Sequence, residues 1–144
     1  AHNEMRRRHP GLIERLYHPF HWDRQAEHAP DEAPYSTHPV FAYDGEELSV
    51  RYYDDYIHKG YALAGEQLDA RGEEALEALQ SIVNDPAYWM EFRIDRGQLQ
   101  FINNRQFAHA RTLFIDDPAA SRPRHLIRCW FRNEGLPGLE GRPV

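Results

Sequence analysis

Two stretches of this 144-residue chain contain the residue types that could do chemistry. The first holds His109, which follows a polar Asn-Asn pair in a segment that we predict to be a strand. The second holds Arg124 and Arg128, whose spacing places both side chains on one face of a predicted strand, since strand side chains alternate. Histidine is a common ligand for Fe(II), and a pair of arginines can hold a dicarboxylate or a substrate that bears a carboxylate. These residues therefore suggest one part of a metal-and-carboxylate site.

The residues alone leave two points open at this site. A lone histidine on a strand is more often structural than a metal ligand. Arg124 and Arg128 would need anionic partners if their strand face is turned inward, whereas on an outward face they would simply be solvated. Leu126 lies between them on the same face, and the sequence does not tell which face is buried.

The overall composition narrows the class of protein. An apolar share of 41% and an aromatic share of 12% are typical of a folded chain, and the length suits a single domain. The net charge of -6 argues against a nucleic-acid binder, which would carry a basic patch. No stretch has the apolar length of a membrane span or of a signal peptide.

Cys129 is the single cysteine of the chain, so no disulfide can form within it. We therefore predict a cytoplasmic protein, in which Cys129 is a small core residue.

The elements that must position the candidate residues follow from the spacing of apolar side chains. This spacing predicts helices over residues 3–17, with a new segment beginning near Pro10, and over residues 72–84. It also predicts a hairpin that turns at Asp44-Gly45. Residues 18–39 are rich in proline, so we predict a long irregular connection there. Four further strands are predicted at 88–94, 98–103, 108–115 and 125–132. The fold class that follows is mainly β with helices, as an antiparallel sandwich or a jelly roll.

The order of the motifs in this C-terminal part resembles a known family. The segments that carry the resemblance are GQLQFINN at 97–104, HART at 109–112 and RHLIRCW at 124–130. Together they resemble the C-terminal series of the taurine-dioxygenase-like (TauD/TfdA) family of Fe(II)- and 2-oxoglutarate-dependent dioxygenases. Each segment is weak by itself, but their order and spacing are fairly specific, and earlier segments extend the resemblance over nearly the whole chain. The resemblance implies a double-stranded β-helix, that is, a jelly roll.

The resemblance also implies roles for single residues. His109 would be the distal histidine of a 2-His-1-carboxylate triad, and so both a catalytic residue and an iron ligand. Arg124 would pair with the distal carboxylate of the co-substrate 2-oxoglutarate, and Arg128 would hold a substrate carboxylate or support Arg124. Asn104 would help to shape the turn that leads to the histidine strand.

One part of the family pattern is missing from this chain. The family takes its other two iron ligands from a His-x-Asp or His-x-Glu motif that precedes the first helix of this sequence. His21-Trp22-Asp23 has the right residue types, but it follows that helix, where the family has an aromatic-Asp-Arg sequence. We interpret it as a coincidence, with Asp23 in a local turn or paired with Arg24. The expectation is therefore a jelly roll that is incomplete at its N-terminus, in a chain cut from something longer.

The sequence thus predicts one oxygenase domain over residues 1–144, of which 135–144 form a flexible tail. The predicted activity is hydroxylation of a small-molecule substrate, coupled to decarboxylation of 2-oxoglutarate and using Fe(II). A substrate that bears a carboxylate would suit the arginine pair. Nucleic acid and membrane are not expected as partners, and the oligomeric state cannot be predicted. Substrate specificity would lie in residues 18–39 and 54–66. The alternative is a non-catalytic jelly-roll module, or an inactive fragment that binds no metal.

Overall fold

The computed structural model of the chain describes residues 1–113, 115 and 125–129. Its N-terminal part is helical, with α1 at His2–Arg8 and α2 at Ile13–Leu16. Pro10 lies between the two helices, because proline lacks the amide hydrogen that a continuous helix would need. The helix predicted over residues 3–17 is therefore present as two segments.

A first pair of strands lies in the segment that the sequence predicts to be irregular. Strand β1 (Phe20–Asp23) pairs antiparallel with β2 (Tyr35–His38), in a register that joins Phe20 to His38. The prediction of an irregular connection over residues 18–39 is therefore wrong at both ends of that segment. The loop between the strands is held by Arg24, whose guanidinium contacts the carboxylate of Glu32 at 2.8 Å.

The cause of this error is the shortness of the pattern. In β1, Phe20 and Trp22 are buried while His21 and Asp23 are partly exposed, which is the alternation expected of a strand. Four residues of alternation are hard to recognise among prolines and histidines. The indole of Trp22 also donates a hydrogen bond to the carbonyl of His38 at 2.8 Å, a contact across the pair that the sequence cannot reveal.

The second pair of strands is the predicted hairpin. Strand β3 (Phe41–Tyr43) pairs antiparallel with β4 (Leu48–Val50), and we call this unit the β3–β4 hairpin. Asp44 accepts hydrogen bonds from the amides of Glu46 and Glu47 at 2.9 and 2.8 Å, and these donors lower the pKa of its carboxyl. Gly45 has φ of 108°, which L residues rarely adopt. The prediction of a turn at Asp44-Gly45 is confirmed.

Two longer helices follow. Helix α3 (Asp54–Ala64) packs against β1, and helix α4 (Ala70–Val83) packs against α1 and α2. Asp69 caps α4 by accepting a hydrogen bond from the amide of Gly72 at 2.8 Å. A 3₁₀ turn at Pro86–Tyr88 ends the helical region, as the Asn-Asp-Pro sequence indicates.

The hydrophobic core joins these helices to the two pairs of strands. The apolar stripe of α4 has buried side chains at Ala75, Leu76, Leu79 and Ile82, with Val83 partly buried beside them. It meets side chains from α1, α2, α3 and the strands. The buried core side chains are Met5, Leu16, Phe20, Trp22, Val40, Phe41, Ile57, Ala75, Leu76, Ala78, Leu79 and Ile82.

The C-terminal part of the described chain differs from the prediction. None of the described residues in 89–113, 115 and 125–129 belongs to a helix or a strand, so the four strands predicted there are not formed within the described ranges. Leu99 and Phe101, for example, are 85% and 80% exposed. A strand needs a neighbour to pair its amides and to cover its apolar face, and the described residues supply none here. Cys129 is exposed for the same reason and is not the predicted core residue.

The described residues therefore form two small antiparallel sheets with helices, and among them no barrel closes. Helices α3 and α4 have 11 and 14 residues, whereas β1, like the other described strands, is short. The jelly roll stays a prediction. No helix in the described ranges is long and apolar enough to cross a membrane.

Candidate functional site

The loop before His109 is a compact turn. The carbonyl of Asn103 accepts hydrogen bonds from the amides of Gln106 and Phe107 at 3.0 and 3.1 Å. The side-chain oxygen of Asn103 also accepts one from the amide of Arg105 at 3.0 Å. We call residues 103–107 the Asn103 turn. The predicted turn is confirmed, but Asn103 rather than Asn104 accepts the hydrogen bonds that hold it, because an Asn at this position can mimic the backbone of a turn.

The Asn103 turn is attached to the β3–β4 hairpin. The amide of Val50 donates a hydrogen bond to the carbonyl of Arg105 at 2.8 Å, and the amide of Arg51 donates one to the carbonyl of Val40 at 2.8 Å. These two bonds fix the end of β4 on both sides. The segment that leads to His109 therefore starts from a defined position beside the hairpin.

The three site residues predicted from the sequence fall in different places. His109 lies two residues beyond the Asn103 turn, in irregular backbone, and its side chain is exposed. Arg128 is also exposed, within the short described range 125–129. Arg124 lies outside the described residues. The described residues do not bring the predicted trio into one pocket, and their assigned roles stay predictions.

A small cavity lies where the Asn103 turn meets the β3–β4 hairpin. It measures about 60 Å³, and we call it the Arg51 cavity. Its lining residues are His38, Pro39, Val40, Ala42, Ser49, Val50, Arg51 and Arg105. No acidic side chain belongs to this lining, so among the described residues the walls of the cavity carry positive or neutral groups.

Arg51 is the residue whose electrostatics stand out in this cavity. Its guanidinium lies over the ring of Trp22, 5.7 Å from the centroid. Burial lowers the pKa of Arg51, and the positive charge of Arg105 lowers it further. Both causes mean that the charged form of Arg51 is less well stabilised than that of an arginine in water.

The surroundings of His21 and Asp23 do not resemble a metal site. One ring nitrogen of His21 lies 3.1 Å from the hydroxyl of Thr37, and the other lies 3.2 Å from the carboxylate of Glu66. Asp23 accepts hydrogen bonds from the backbone and side-chain amides of Gln25. The expected local turn at Asp23 is present, whereas Arg24 contacts Glu32 rather than Asp23.

The described residues do not by themselves fit Fe(II). Within the described ranges, no group of three or more His, Cys, Asp and Glu side chains is arranged to hold a metal ion. His109 offers one imidazole, and a facial triad needs two further protein ligands.

Several residues of this region were missed by sequence reasoning. Gly60 allows α3 to approach β1 so closely that a Cβ atom there would lie 2.5 Å from the carbonyl carbon of His21. Arg51 and Arg105 come together only through tertiary structure, and the family resemblance assigns no role to either. Apolar Leu48, Val50 and Tyr52 alternate with polar residues in the predicted hairpin, and Arg51 lies within this pattern, but nothing in it marks the Arg51 side chain as part of a cavity.

Comparison with known proteins gives the family. The model of the taurine catabolism dioxygenase TauD, TfdA family matches residues 1–130. The chain is 26% identical to FR-33289 synthase of Streptomyces rubellomurinus over 136 residues, which are 92% of this chain and 40% of that protein. It is 32% identical to uridine-5'-phosphate dioxygenase of an Amycolatopsis species over 97 residues, which are 67% of this chain and 34% of that protein.

The chain spans well under half the length of the curated relatives that it matches. The family match nevertheless extends over the Asn103 turn, His109 and the arginine segment, and it confirms the resemblance seen in the sequence. The chain belongs to the taurine catabolism dioxygenase TauD, TfdA family.

Proposed function

We propose that this chain is the C-terminal part of an Fe(II)- and 2-oxoglutarate-dependent dioxygenase that hydroxylates a small molecule. The observation that carries the proposal is the family match over residues 1–130, which includes His109 and both arginines of the predicted site. The attachment of the Asn103 turn to Val50 supports it, because a ligand residue needs a fixed starting point in the fold.

In this proposal the chain's own residues bind and orient. His109 provides one imidazole ligand for the iron, Arg124 pairs with the distal carboxylate of 2-oxoglutarate, and Arg128 holds a substrate carboxylate or supports Arg124. A bidentate guanidinium–carboxylate pair would fix the orientation of the co-substrate as well as bind it. The remaining two iron ligands would be supplied by sequence outside this chain, since His21 and Asp23 are engaged with other partners.

The exposed apolar residues of the C-terminal part agree with this proposal. Leu113 and Ile115, like Leu99 and Phe101, expose side chains that a folded domain would cover. In a complete jelly roll, neighbouring strands would pair with these segments and bury one face of each. The proposed domain is therefore larger than the described part of this chain. Because Cys129 is the single cysteine of the sequence, we also propose a cytoplasmic location.

The substrate class follows in part from the relatives. The name of the Amycolatopsis relative denotes a substrate that carries a phosphate. We propose for this protein a small substrate with an anionic group, either a carboxylate or a phosphate.

Coupled turnover tests the proposal. The complete gene product, loaded with Fe(II), should consume O2 and decarboxylate 2-oxoglutarate, and Arg124→Gln should raise the KM for 2-oxoglutarate by about tenfold or more. Arg6→Gln, which removes an exposed cation on α1, is the matched control and should leave this KM unchanged. An Arg124→Gln protein with the parental KM would contradict the assigned role.

The alternative function is a non-catalytic jelly-roll module or an inactive fragment. The observation that favours it is that His21 and Asp23, the one His-x-Asp sequence of this chain, contact Thr37, Glu66 and Gln25. If the complete gene product binds neither Fe(II) nor 2-oxoglutarate, this alternative replaces the dioxygenase proposal.

A further inference from the structure

The Arg51 cavity has the composition of an anion site. Its lining includes two guanidinium groups, those of Arg51 and Arg105, together with the imidazole of His38 and the hydroxyl of Ser49, which donates a hydrogen bond to the carbonyl of Ala42 at 3.4 Å. The remaining lining residues are apolar, so nothing in the described lining would repel a negative charge. The two guanidinium groups belong to different elements, and the Val50–Arg105 hydrogen bond holds those elements together.

Arg51 differs from the other partly buried arginines. Arg15 contacts the carboxylate of Asp69 at 2.7 Å, and Arg24 contacts that of Glu32 at 2.8 Å. Among the described residues, no carboxylate lies within ion-pair distance of Arg51, whose neighbours are the Trp22 ring and the cation of Arg105. A partly buried cation of this kind is unfavourable unless an anion reaches it.

The size of the cavity limits the anion. One water molecule needs roughly 10–15 Å³ of such space, so a cavity of about 60 Å³ has room for a group the size of phosphate and not for a whole nucleotide. An occupant of this kind would have its anionic end in the cavity and the rest of the molecule outside.

We propose that the Arg51 cavity binds the phosphate group of the substrate, with Arg51 and Arg105 as its binding residues. The inference rests on the proposed function and names a specificity site for it. Arg105 belongs to the Asn103 turn, and His109 follows that turn by two residues, so a substrate anchored here would extend toward the segment of the proposed iron ligand. Paired guanidinium groups suit phosphate because they can bind several of its oxygens at once.

Phosphate binding to the full chain tests this inference without iron or turnover. We would titrate inorganic phosphate by calorimetry at fixed ionic strength, because exposed charges are screened by salt. Arg51→Gln should weaken phosphate binding by at least about tenfold, since it removes charged hydrogen bonds. Arg6→Gln makes the same change of charge on an exposed residue and should leave the affinity unchanged.

A second variant guards against a folding artefact. Arg105→Gln leaves the stacking of Arg51 on Trp22 in place, and it should also weaken phosphate binding while circular dichroism and thermal unfolding match the parent. Phosphate affinity that is the same in Arg51→Gln and Arg6→Gln would overturn the inference. So would the absence of phosphate binding in the parent chain.

Binding of 2-oxoglutarate, titrated in the same way, tests whether the cavity holds the co-substrate instead. Tighter binding of 2-oxoglutarate than of phosphate, with loss in Arg51→Gln, would assign the cavity to the co-substrate and overturn the inference. If the complete gene product turns over 2-oxoglutarate but its phosphate binding does not depend on Arg51, the inference is wrong and the proposed function stands. Arg51-dependent phosphate binding without any turnover would instead reject the proposed dioxygenase function.

Discussion

The backbone amide of Val50 donates a hydrogen bond to the carbonyl of Arg105 at 2.8 Å. This bond joins the end of β4 to the turn before His109, two parts of the chain that are far apart in sequence. It gives the exposed C-terminal segment a fixed point on the folded N-terminal part.

The side chain of Asn103 should stabilise the turn that carries Arg105. Asn103→Ala removes the acceptor for the Arg105 amide, so this amide should exchange with solvent about fivefold faster, which corresponds to about 1 kcal/mol. Hydrogen exchange followed by NMR measures this directly. Asn104→Ala is the matched control and should leave the exchange rate nearly unchanged. A larger effect from Asn104→Ala would show that the neighbouring asparagine holds the turn.

The close approach of α3 to β1 should make Gly60 intolerant of a side chain. A Cβ in Gly60→Ala would lie 2.5 Å from the carbonyl carbon and oxygen of His21, and backbone cannot yield as a flexible side chain does. We expect a loss of about 1–3 kcal/mol in the free energy of unfolding, measured with urea. Gly11→Ala, where nothing lies within 4 Å of the new atom, should be nearly neutral. Equal stability of the two variants would exclude this packing.

Asp69 should link stability to pH in the acid range. Hydrogen bonds from Arg15 and from the Gly72 amide lower the pKa of Asp69 in the folded state. The contribution of Asp69 to the free energy of unfolding is therefore complete above the ordinary aspartate pKa of about 3.9. This contribution is lost as the pH falls through the lower pKa that Asp69 has in the folded state. Asp69→Ala should cost about 1 kcal/mol at pH 7 and less at the acid end.

Two further variants serve as controls for Asp69→Ala. Asp69→Asn keeps the cap on α4 and loses the charge beside Arg15, so it should cost less than Asp69→Ala. Asp31→Ala, at an exposed position, should change stability little at any pH. If urea unfolding of Asp69→Ala shows the parental dependence on pH, the assigned linkage is wrong.

Tyr52 should be one position where loss of a polar group stabilises the fold. Its hydroxyl is buried with no hydrogen-bond partner among the described residues, and burial raises its pKa. Tyr52→Phe removes this unsatisfied group and should raise the free energy of unfolding by about 1 kcal/mol. Tyr43→Phe loses an exposed hydrogen bond to the carbonyl of Gly45 and should be neutral or slightly destabilising. A destabilised Tyr52→Phe protein would mean that the hydroxyl has a partner.

Local signals made part of this fold predictable. The turn at Asp44-Gly45 and the apolar stripe of α4 depend on neighbours in sequence, and both predictions were correct. The pairing of β1 with β2 was missed, since it depends on contacts across a long loop. The four strands predicted from residue 88 onward are not formed in the described part, because a strand is stable only beside a partner.

The candidate site was predictable to a lesser degree. Motif order identified the family and drew attention to His109, but the position of a ligand depends on elements that meet only in the folded domain. Arg51 carries no signal of its own in the sequence. It becomes informative once the structure shows it beside Arg105, on the ring of Trp22 and without a carboxylate among the described residues.

Binding of Fe(II) tests the central claim most directly. The complete gene product should bind Fe(II) under anaerobic conditions in equilibrium dialysis, and His109→Ala should weaken this binding by at least about tenfold, because it removes a protein ligand. His18→Ala replaces another exposed histidine and should leave the affinity unchanged. Fe(II) affinity in His109→Ala equal to that of the parent would contradict the assignment of His109 as an iron ligand.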